Sequence, residues 1–564
     1  MLRAFRSDVV APVEPGSRTH QDRYRTYKQL GLFLLCTAWI ALGLIGRDPW
    51  KTEDAIAFAT AWEMLQRSDW LVPRLAQELS LAQAPLVPWL SATGVAWLSP
   101  MLNAPDAGRL GVGLLLALLL SLTGAAAHEL NGRTRRWMPV LILVGSVGLF
   151  DRSHQLSQDL ALSVAVALAL YGVALAVRKP LAGGATLGVA TGLAFLSAGW
   201  IGPLWTLLPS LFLPAFGSPW RTRTFAATLA AAFVVAAPLV AAWPWALYAR
   251  SPELFGAWWH ASLAAAFDPW RMQNGGPDPT WLAKNIVWVA WPAVPLIAWV
   301  LWIRGRGFNG GLAESGVIVP GTYAIVMIVM LALTSDARVT QMLPVLAPLA
   351  LLASLEIDSW KREHSAALDW FGILTFGLTA IVLWGFWLDA YVNGMSPRVA
   401  FLLRDSETGY ATSFRLREML AAIFLTVLWI VLVRPARRSN RRAILNWAAG
   451  MTLVWGLIAT IWLPYINARR TYNAVAESIG VYRPESGCIA RRDVGDAQRA
   501  AFYYFAGVVT VPETAEEAAT CPALLVQYGR LPEGTPAIDG YRVQWEGSRR
   551  GDLTERFVLY RRVG

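Results

Sequence analysis

Three carboxylates in this 564-residue chain stand at the edges of hydrophobic runs, where an acid is costly unless it is paired or has work to do. Glu53 and Asp54 are adjacent in 47-RDPWKTEDAIAFATAWEML, and Asp159 opens 159-DLALSVAVALAL. A carboxylate so placed can take the proton of an attacking hydroxyl. Two that share a site, here Glu53 with Asp159, can also hold a divalent cation such as Mg, Mn or Zn, although no dedicated ligand motif is spaced along the chain. The plainer role is structural, because Thr52, Glu53, Asp54 and Asp159 are all residue types that cap a helix start. Cationic and polar partners occur nearby in sequence. Arg152 and His154 precede Asp159, Arg338 begins 338-RVTQMLPVLAPLALL, and Arg74 and Gln83 lie in 69-DWLVPRLAQELSLAQAPLVPWL. A guanidinium at a helix end offers a two-pronged grip on a phosphate, or simply snorkels toward water.

The elements that must position these groups are membrane helices. Apolar residues make up 55% of the chain, charged residues 15%, and the mean hydropathy is +0.42, which is too oily for a soluble protein of this length. The net charge of +11 does not indicate nucleic acid, because Lys and Arg cluster in short stretches between apolar runs, as on the cytoplasmic side of membrane proteins. A bilayer core of about 30 Å needs about 20 apolar residues per crossing. Thirteen such runs are found, near 29–46, 108–127, 138–150, 160–177, 182–197, 200–216, 224–243, 284–303, 316–333, 341–354, 369–388, 416–433 and 444–464. Basic clusters at Arg133 to Arg136, Arg178-Lys179, Arg221 and Arg223, Arg304 and Arg306, Lys361-Arg362, and Arg434 to Arg442 fall at alternate ends of them. Residues 1–28 then form a cytoplasmic tail with no cleavable signal. The loops 47–107, 244–283 and 389–415 lie outside together with residues 465–564, so all three acids share the outer face. Charges at helix ends rather than at mid-bilayer, and no internal repeat, disfavour a transporter or flippase.

The last hundred residues change character. The stretch 493-DVGDAQRAAFYYFAG has a helical pattern, while 523-ALLVQYG, 541-YRVQW and 556-RFVLYRR read as strands. Cys488 and Cys521 both fall in this region and would pair in an oxidising compartment. The expected fold is therefore an all-α polytopic membrane protein with about thirteen transmembrane helices, amphipathic periplasmic helices within 69–90, and a small C-terminal α/β periplasmic domain.

One family matches this frame without gaps from Glu53 to Leu90. Its Trp, acidic pair, Glu-Met-Leu, Asp-Trp, Pro and Pro-Leu segments correspond to Trp50, Glu53-Asp54, Glu63-Met64-Leu65, Asp69-Trp70, Pro73 and Pro85-Leu86. A second acid matches Asp159, a Gly-Pro turn matches 197-SAGWIGP, and an Arg-led proline helix matches Arg338 with 343-LPVLAPLALL. The chain thus resembles the GT-C glycosyltransferases of the protein-mannosyltransferase type, most closely those that move 4-amino-4-deoxy-L-arabinose from undecaprenyl phosphate onto lipid A. It departs from them at Glu53 and Asp54, whose order is reversed, at Ala82-Gln83, which replace a Glu-Lys pair, at 197-SAGWIGP, which lacks the turn's Lys, and at Leu263 and Ala266, where His and Arg are common.

The resemblance implies the GT-C fold in a bacterial inner membrane and inverting sugar transfer from a polyprenyl-phosphate donor to a lipid or glycan acceptor. It implies Glu53 or Asp54 as base and Asp159 orienting sugar or acceptor. Arg338, Arg74, Arg152, His154 and Gln83 are then the substrate-binding residues. A relative that keeps the fold but serves as a lipid-binding or scaffold protein is the alternative.

Overall fold

Residues 29–132, 136–150, 152–267, 278–335, 338–403, 414–434, 439–484, 487–529, 534–550, 552 and 554–563 are described in the computed structural model. The tail 1–28, Asp151, Arg133, Arg135, Arg437 and Arg438 lie outside these residues, as do 268–277 and 404–413 of the two later outer loops.

The first apolar run forms α1 (Gln29–Ala41). After it come α2 (Glu53–Arg67), the short strands β1 (Arg74–Leu75) and β2 (Glu78–Leu79), and α3 (Leu86–Leu98). Only α3 of the expected helices within 69–90 is present. Residues 74–79 form an antiparallel hairpin instead, with Ala76 and Gln77 at φ 48° and 72°. Both left-handed residues suit a tight hairpin turn. Glu63 of α2 holds that turn by accepting the Gln77 N–H at 3.0 Å, a tertiary contact that local periodicity does not show.

The chain continues through α4 (Ala104–Asn131), α5 (Met138–Val144), α6 (Gln158–Ala176), α7 (Pro180–Ala198), α8 (Gly202–Phe216), α9 (Arg223–Arg250) and α10 (Pro252–Phe267). Next are α11 (Pro279–Val289), α12 (Ala293–Gly305), α13 (Ser315–Ala332), α14 (Leu346–Ala353), α15 (Arg362–Val392), α16 (Pro397–Leu402), α17 (Leu416–Val433) and α18 (Asn440–Ala459). Each of the thirteen expected runs carries a helix.

Among the described residues, eight helical stretches are long and apolar enough to cross a bilayer, or nine if α11 and α12, bent by 97°, make one span. The chain is a multi-pass membrane protein. Thirteen crossings would also need α1, α5 and the stretch Thr340–Ala353, and would need α7 and α8 to count separately. At about 1.5 Å per residue these short helices fall well under a 30 Å core, so they would span only together with flanking non-helical chain. Between α7 and α8 the chain turns at Gly199, φ 61°, and a side chain on Gly202 would collide with the Ala194 carbonyl. Gly184, Gly188 and Gly192 let α9 close onto α7, since a Cβ at any of them would strike Thr228, Ala232 or Leu239.

Beyond the bundle lie α19 (Leu463–Arg470), α20 (Asn473–Val481), β3 (Ile489–Arg492), α21 (Asp496–Ala506), β4 (Thr510–Pro512), β5 (Ala523–Tyr528), β6 (Tyr541–Gly547) and β7 (Arg556–Arg562). The sheet order is β4-β3-β5-β7-β6, with β3 parallel to both β4 and β5 and the remaining pairs antiparallel. β3 and β4 escape sequence reading because they are four and three residues long and β3 ends in two arginines. The rings of Tyr472, Phe502 and Phe557 meet edge to face in the domain core, and Cys488 is bonded to Cys521.

Candidate active site

Adjacent residues on a helix point about 100° apart, and at the start of α2 this separates Glu53 from Asp54. Thr52 makes no capping hydrogen bond. Asp54 is fully buried and committed to the protein. Its carboxylate accepts the Leu156 N–H at 2.9 Å, the Trp50 N–H at 3.2 Å and Arg109 Nη2 at 3.3 Å. Arg109, itself 1% exposed, also donates to the carbonyls of Arg47 and Asp48. Burial pushes the Asp54 carboxyl up, but Arg109, Arg47 and the two N–H donors outweigh it and hold the group below the usual Asp range. Asp54 therefore ties the 47–53 loop to α4 and to the segment before α6.

Glu53 faces the other way, into a cavity of about 410 Å³. Ser157 hydrogen-bonds its carboxylate, while Oε2 is buried with no partner. Burial raises the Glu53 carboxyl above the usual Glu range, although Ser157, Arg338 and Arg152 pull it down. The walls come from four separate stretches of chain: Lys51 and Thr52 before α2, Arg152, Gln155 and Ser157 before α6, Arg338 and Thr340 before α14, and Arg470 at the end of α19.

Asp159 sits just behind this wall. Its backbone N–H is received by the Ser157 hydroxyl at 3.1 Å, so Ser157 caps α6 and the Asp159 carboxylate is left for other contacts. Those contacts are a hydrogen bond with Thr340 and electrostatic interactions with Glu53 and Arg338. Glu53, Asp159, Arg152 and Arg338 are thus brought together.

The other expected ligands are not. None of Asp54, Arg74, Gln83 and His154 lines the cavity. His154 is buried between the rings of Trp39 and Trp455, with Nε2 2.9 Å from the Trp39 carbonyl, so its place near a phosphate is corrected to a core position. Gln83 accepts the Thr60 hydroxyl at 3.0 Å, and Arg74 lies in the hairpin beside the Gln77 carbonyl. In their stead the cavity holds Lys51, Ser157, Thr340 and Arg470. Lys51 could have been found as a cation two residues before Glu53, whereas Arg470 carries no local signal.

Among the described residues no three His, Cys, Asp or Glu side chains converge as a metal site. A cation would have only Glu53 and Asp159, with the remaining ligands drawn from water or a phosphate.

The C-terminal domain packs on the helix that carries Glu53. Glu78, at the hairpin, pairs with Arg491 at 2.8 Å and Arg499 at 2.6 Å, and these two guanidiniums, working against burial, hold it below the usual Glu range. Tyr504 meets Phe58 and Trp62 of α2 at centroid distances of 4.8 and 5.5 Å. Just before the domain, Arg470 lies 4.8 Å from the Trp50 ring, with Arg47 at 4.4 Å, and the Trp50 indole donates to Asn467 at 2.9 Å.

No protein-family model matches the chain. It is 26% identical over 377 residues to the undecaprenyl phosphate-alpha-4-amino-4-deoxy-L-arabinose arabinosyl transferase 2 of Pseudomonas fluorescens (strain Pf0-1). That match covers 63% of this chain and 64% of the relative, a little under two thirds of the relative's length. Two crystal structures of ArnT from Cupriavidus metallidurans, in the apo state and bound to undecaprenyl phosphate, superpose with a TM-score of 0.63 at 14% identity. Each covers 95% of this chain and 98% of the ArnT chain. From the N-terminal bundle to the C-terminal sheet, the chain has the GT-C fold of ArnT and resembles the aminoarabinose transferases in sequence.

Proposed function

We propose that this protein is an inverting glycosyltransferase that moves a sugar from a polyprenyl-phosphate donor to a hydroxyl of an envelope lipid or glycan, with Glu53 as the base. The observation that carries this reading is the Glu53 carboxylate, with one buried oxygen unpartnered, at the wall of a cavity that also holds Arg152, Arg338 and Arg470. In the reaction the acceptor oxygen attacks the anomeric carbon and the bond from that carbon to the phosphate oxygen breaks. The acceptor's proton passes to Glu53, and polyprenyl phosphate leaves. Guanidiniums suit the leaving phosphate because they donate in a fixed planar fork and stay charged. Asp159, held by Thr340, orients the sugar or the acceptor. A divalent cation would find only two carboxylates here, Glu53 and Asp159, beside three guanidiniums, so the arginines rather than a metal carry the phosphate charge.

The relative's name supports an undecaprenyl-phosphate sugar as donor. The cysteine bridge and the placing of basic clusters support a cytoplasmic N-terminus and a periplasmic C-terminal domain in a bacterial inner membrane. The test is transfer by the purified chain from undecaprenyl-phosphate sugars to extracted envelope lipids, read by mass spectrometry, beside the lipid profile of a deletion strain. Undecaprenyl phosphate binding without transfer to any acceptor would favour the lipid-binding scaffold instead.

A further inference from the structure

One wall residue of the same cavity, Lys51, is contacted by the C-terminal domain. Glu555, just before β7, is 5% exposed. Its carboxylate receives the Tyr472 hydroxyl at 2.6 Å, Gln498 Nε2 at 2.8 Å, Gln527 Nε2 at 3.3 Å and Arg549 Nη2 at 2.6 Å. All four donors lie beyond α19, so the domain holds this carboxylate in place by itself. The fifth partner comes from elsewhere. Lys51 Nζ lies 3.3 and 3.4 Å from the two Glu555 oxygens, and Lys51 is a wall residue of the Glu53 cavity.

The arrangement is asymmetric. Glu555 keeps its four domain-side donors whether or not Lys51 is present, although Arg549 is shared with Asp552. Lys51, 37% exposed on a four-carbon stem, has no comparable restraint of its own, and a free lysine must lose its rotamer freedom when it meets an anion. A carboxylate fixed 3.3 Å away removes that freedom beforehand.

We propose that Glu555 is a positioning residue for the donor site: it holds Lys51 at the cavity so that the ammonium is already placed for the donor's phosphate. This rests on the glycosyltransferase reading above. It makes the docked C-terminal domain part of the donor site, although Glu555 touches neither donor nor acceptor.

The experiment uses the full chain in lipid nanodiscs, with an undecaprenyl-phosphate sugar as donor and undecaprenyl phosphate alone as a turnover-free binding probe. Lys51 meets the phosphate before and during reaction alike, so its loss should raise KM and spare kcat. Lys51→Gln should raise the donor KM and the undecaprenyl phosphate Kd about tenfold, the scale of one charge-assisted bond. Glu555→Gln should raise both about three- to tenfold at near-constant kcat, and the double variant should do no more than Lys51→Gln alone. Lys51→Arg should restore most of the affinity. Tyr472→Phe removes a bond to Glu555 on the domain side and lowers the melting temperature, yet should leave KM unchanged because the Lys51 contact survives.

Additive effects in the double variant, an unchanged KM in Lys51→Gln, or a KM in Tyr472→Phe that follows its melting temperature would overturn the proposal. Lys51 is exposed enough for its variants to fold even if Glu555→Gln does not. A wild-type chain that neither binds undecaprenyl phosphate nor transfers sugar sinks the glycosyltransferase reading, whereas normal wild-type kinetics with an unaltered Lys51→Gln sinks this inference alone.

Discussion

Glu53→Gln and Asp54→Asn are near-isosteric changes at neighbouring positions, and the geometry assigns them opposite outcomes. At Asp54 the substitution removes the charge facing buried Arg109 and turns one acceptor into a donor that meets a backbone N–H. Breaking a buried pair costs about 3–5 kcal/mol. Asp106 remains 3.3 Å from Arg109 and still offsets part of its charge, so about 3 kcal/mol is the expected loss. At Glu53 the carboxylate already has one buried oxygen without a partner, and burial disfavours its charge. A neutral amide relieves that, so stability should hold or rise by about 1 kcal/mol. Turnover should fall about 10²–10⁴-fold, the usual contribution of a general base, with donor affinity retained. Thermal unfolding followed by tryptophan fluorescence and a donor-saturated transfer assay separate the two effects. A stable Asp54→Asn that has lost turnover, beside a destabilised Glu53→Gln that has kept it, would mean that the two carboxylates have exchanged roles and that the cavity argument is wrong.

Since burial raises the Glu53 carboxyl, the acid limb of kcat/KM should lie above the ordinary Glu value of about 4.3, with activity present above that limb and lost as pH falls through it. The folded chain holds that proton more tightly than the unfolded chain does, so protonation there is stabilising, and Glu53→Gln should remove this contribution from the pH–stability curve. Asp54 runs the other way: its depressed carboxyl stabilises above the ordinary Asp value of about 3.9, and that stability is lost on further acidification. Arg338→Gln should raise the donor KM by about tenfold, a loss of about 1.5 kcal/mol, without unfolding the protein, because the residue is exposed at the cavity; a KM within error of wild type argues against phosphate contact. Cys488→Ser with Cys521→Ser opens a link between cysteines 33 residues apart, a loss of about 3–4 kcal/mol that should appear as faster proteolysis of the C-terminal domain while the bundle persists. Chelation with EDTA should leave transfer unchanged, since two carboxylates are a poor cage beside the cationic side chains; a loss restored by Mg or Mn would refute this.

The sequence alone determined what local physics controls. Hydrophobic run lengths marked all eight described stretches that are long and apolar enough to cross a bilayer, because insertion depends on composition within about 20 residues. The match from Glu53 to Leu90 pointed to the loop that bears Glu53, and Asp159 was visible as an acid at the mouth of an apolar helix. Tertiary structure alone decided which acid faces the cavity and which is buried. Glu53 and Asp54 are equally good bases and caps on paper, and only the approach of Arg109 and the Leu156 N–H to one side of α2 commits Asp54 to the core. His154 illustrates the same limit, since its polarity suggested a ligand while Trp39 and Trp455, far apart in the chain, enclose it. Arg470 and the Glu555 contact to Lys51 join residues separated by most of the sequence. A cavity wall is set by which surfaces dock, and docking sums many weak contacts over the whole chain, none of which leaves a local pattern at the residue it positions.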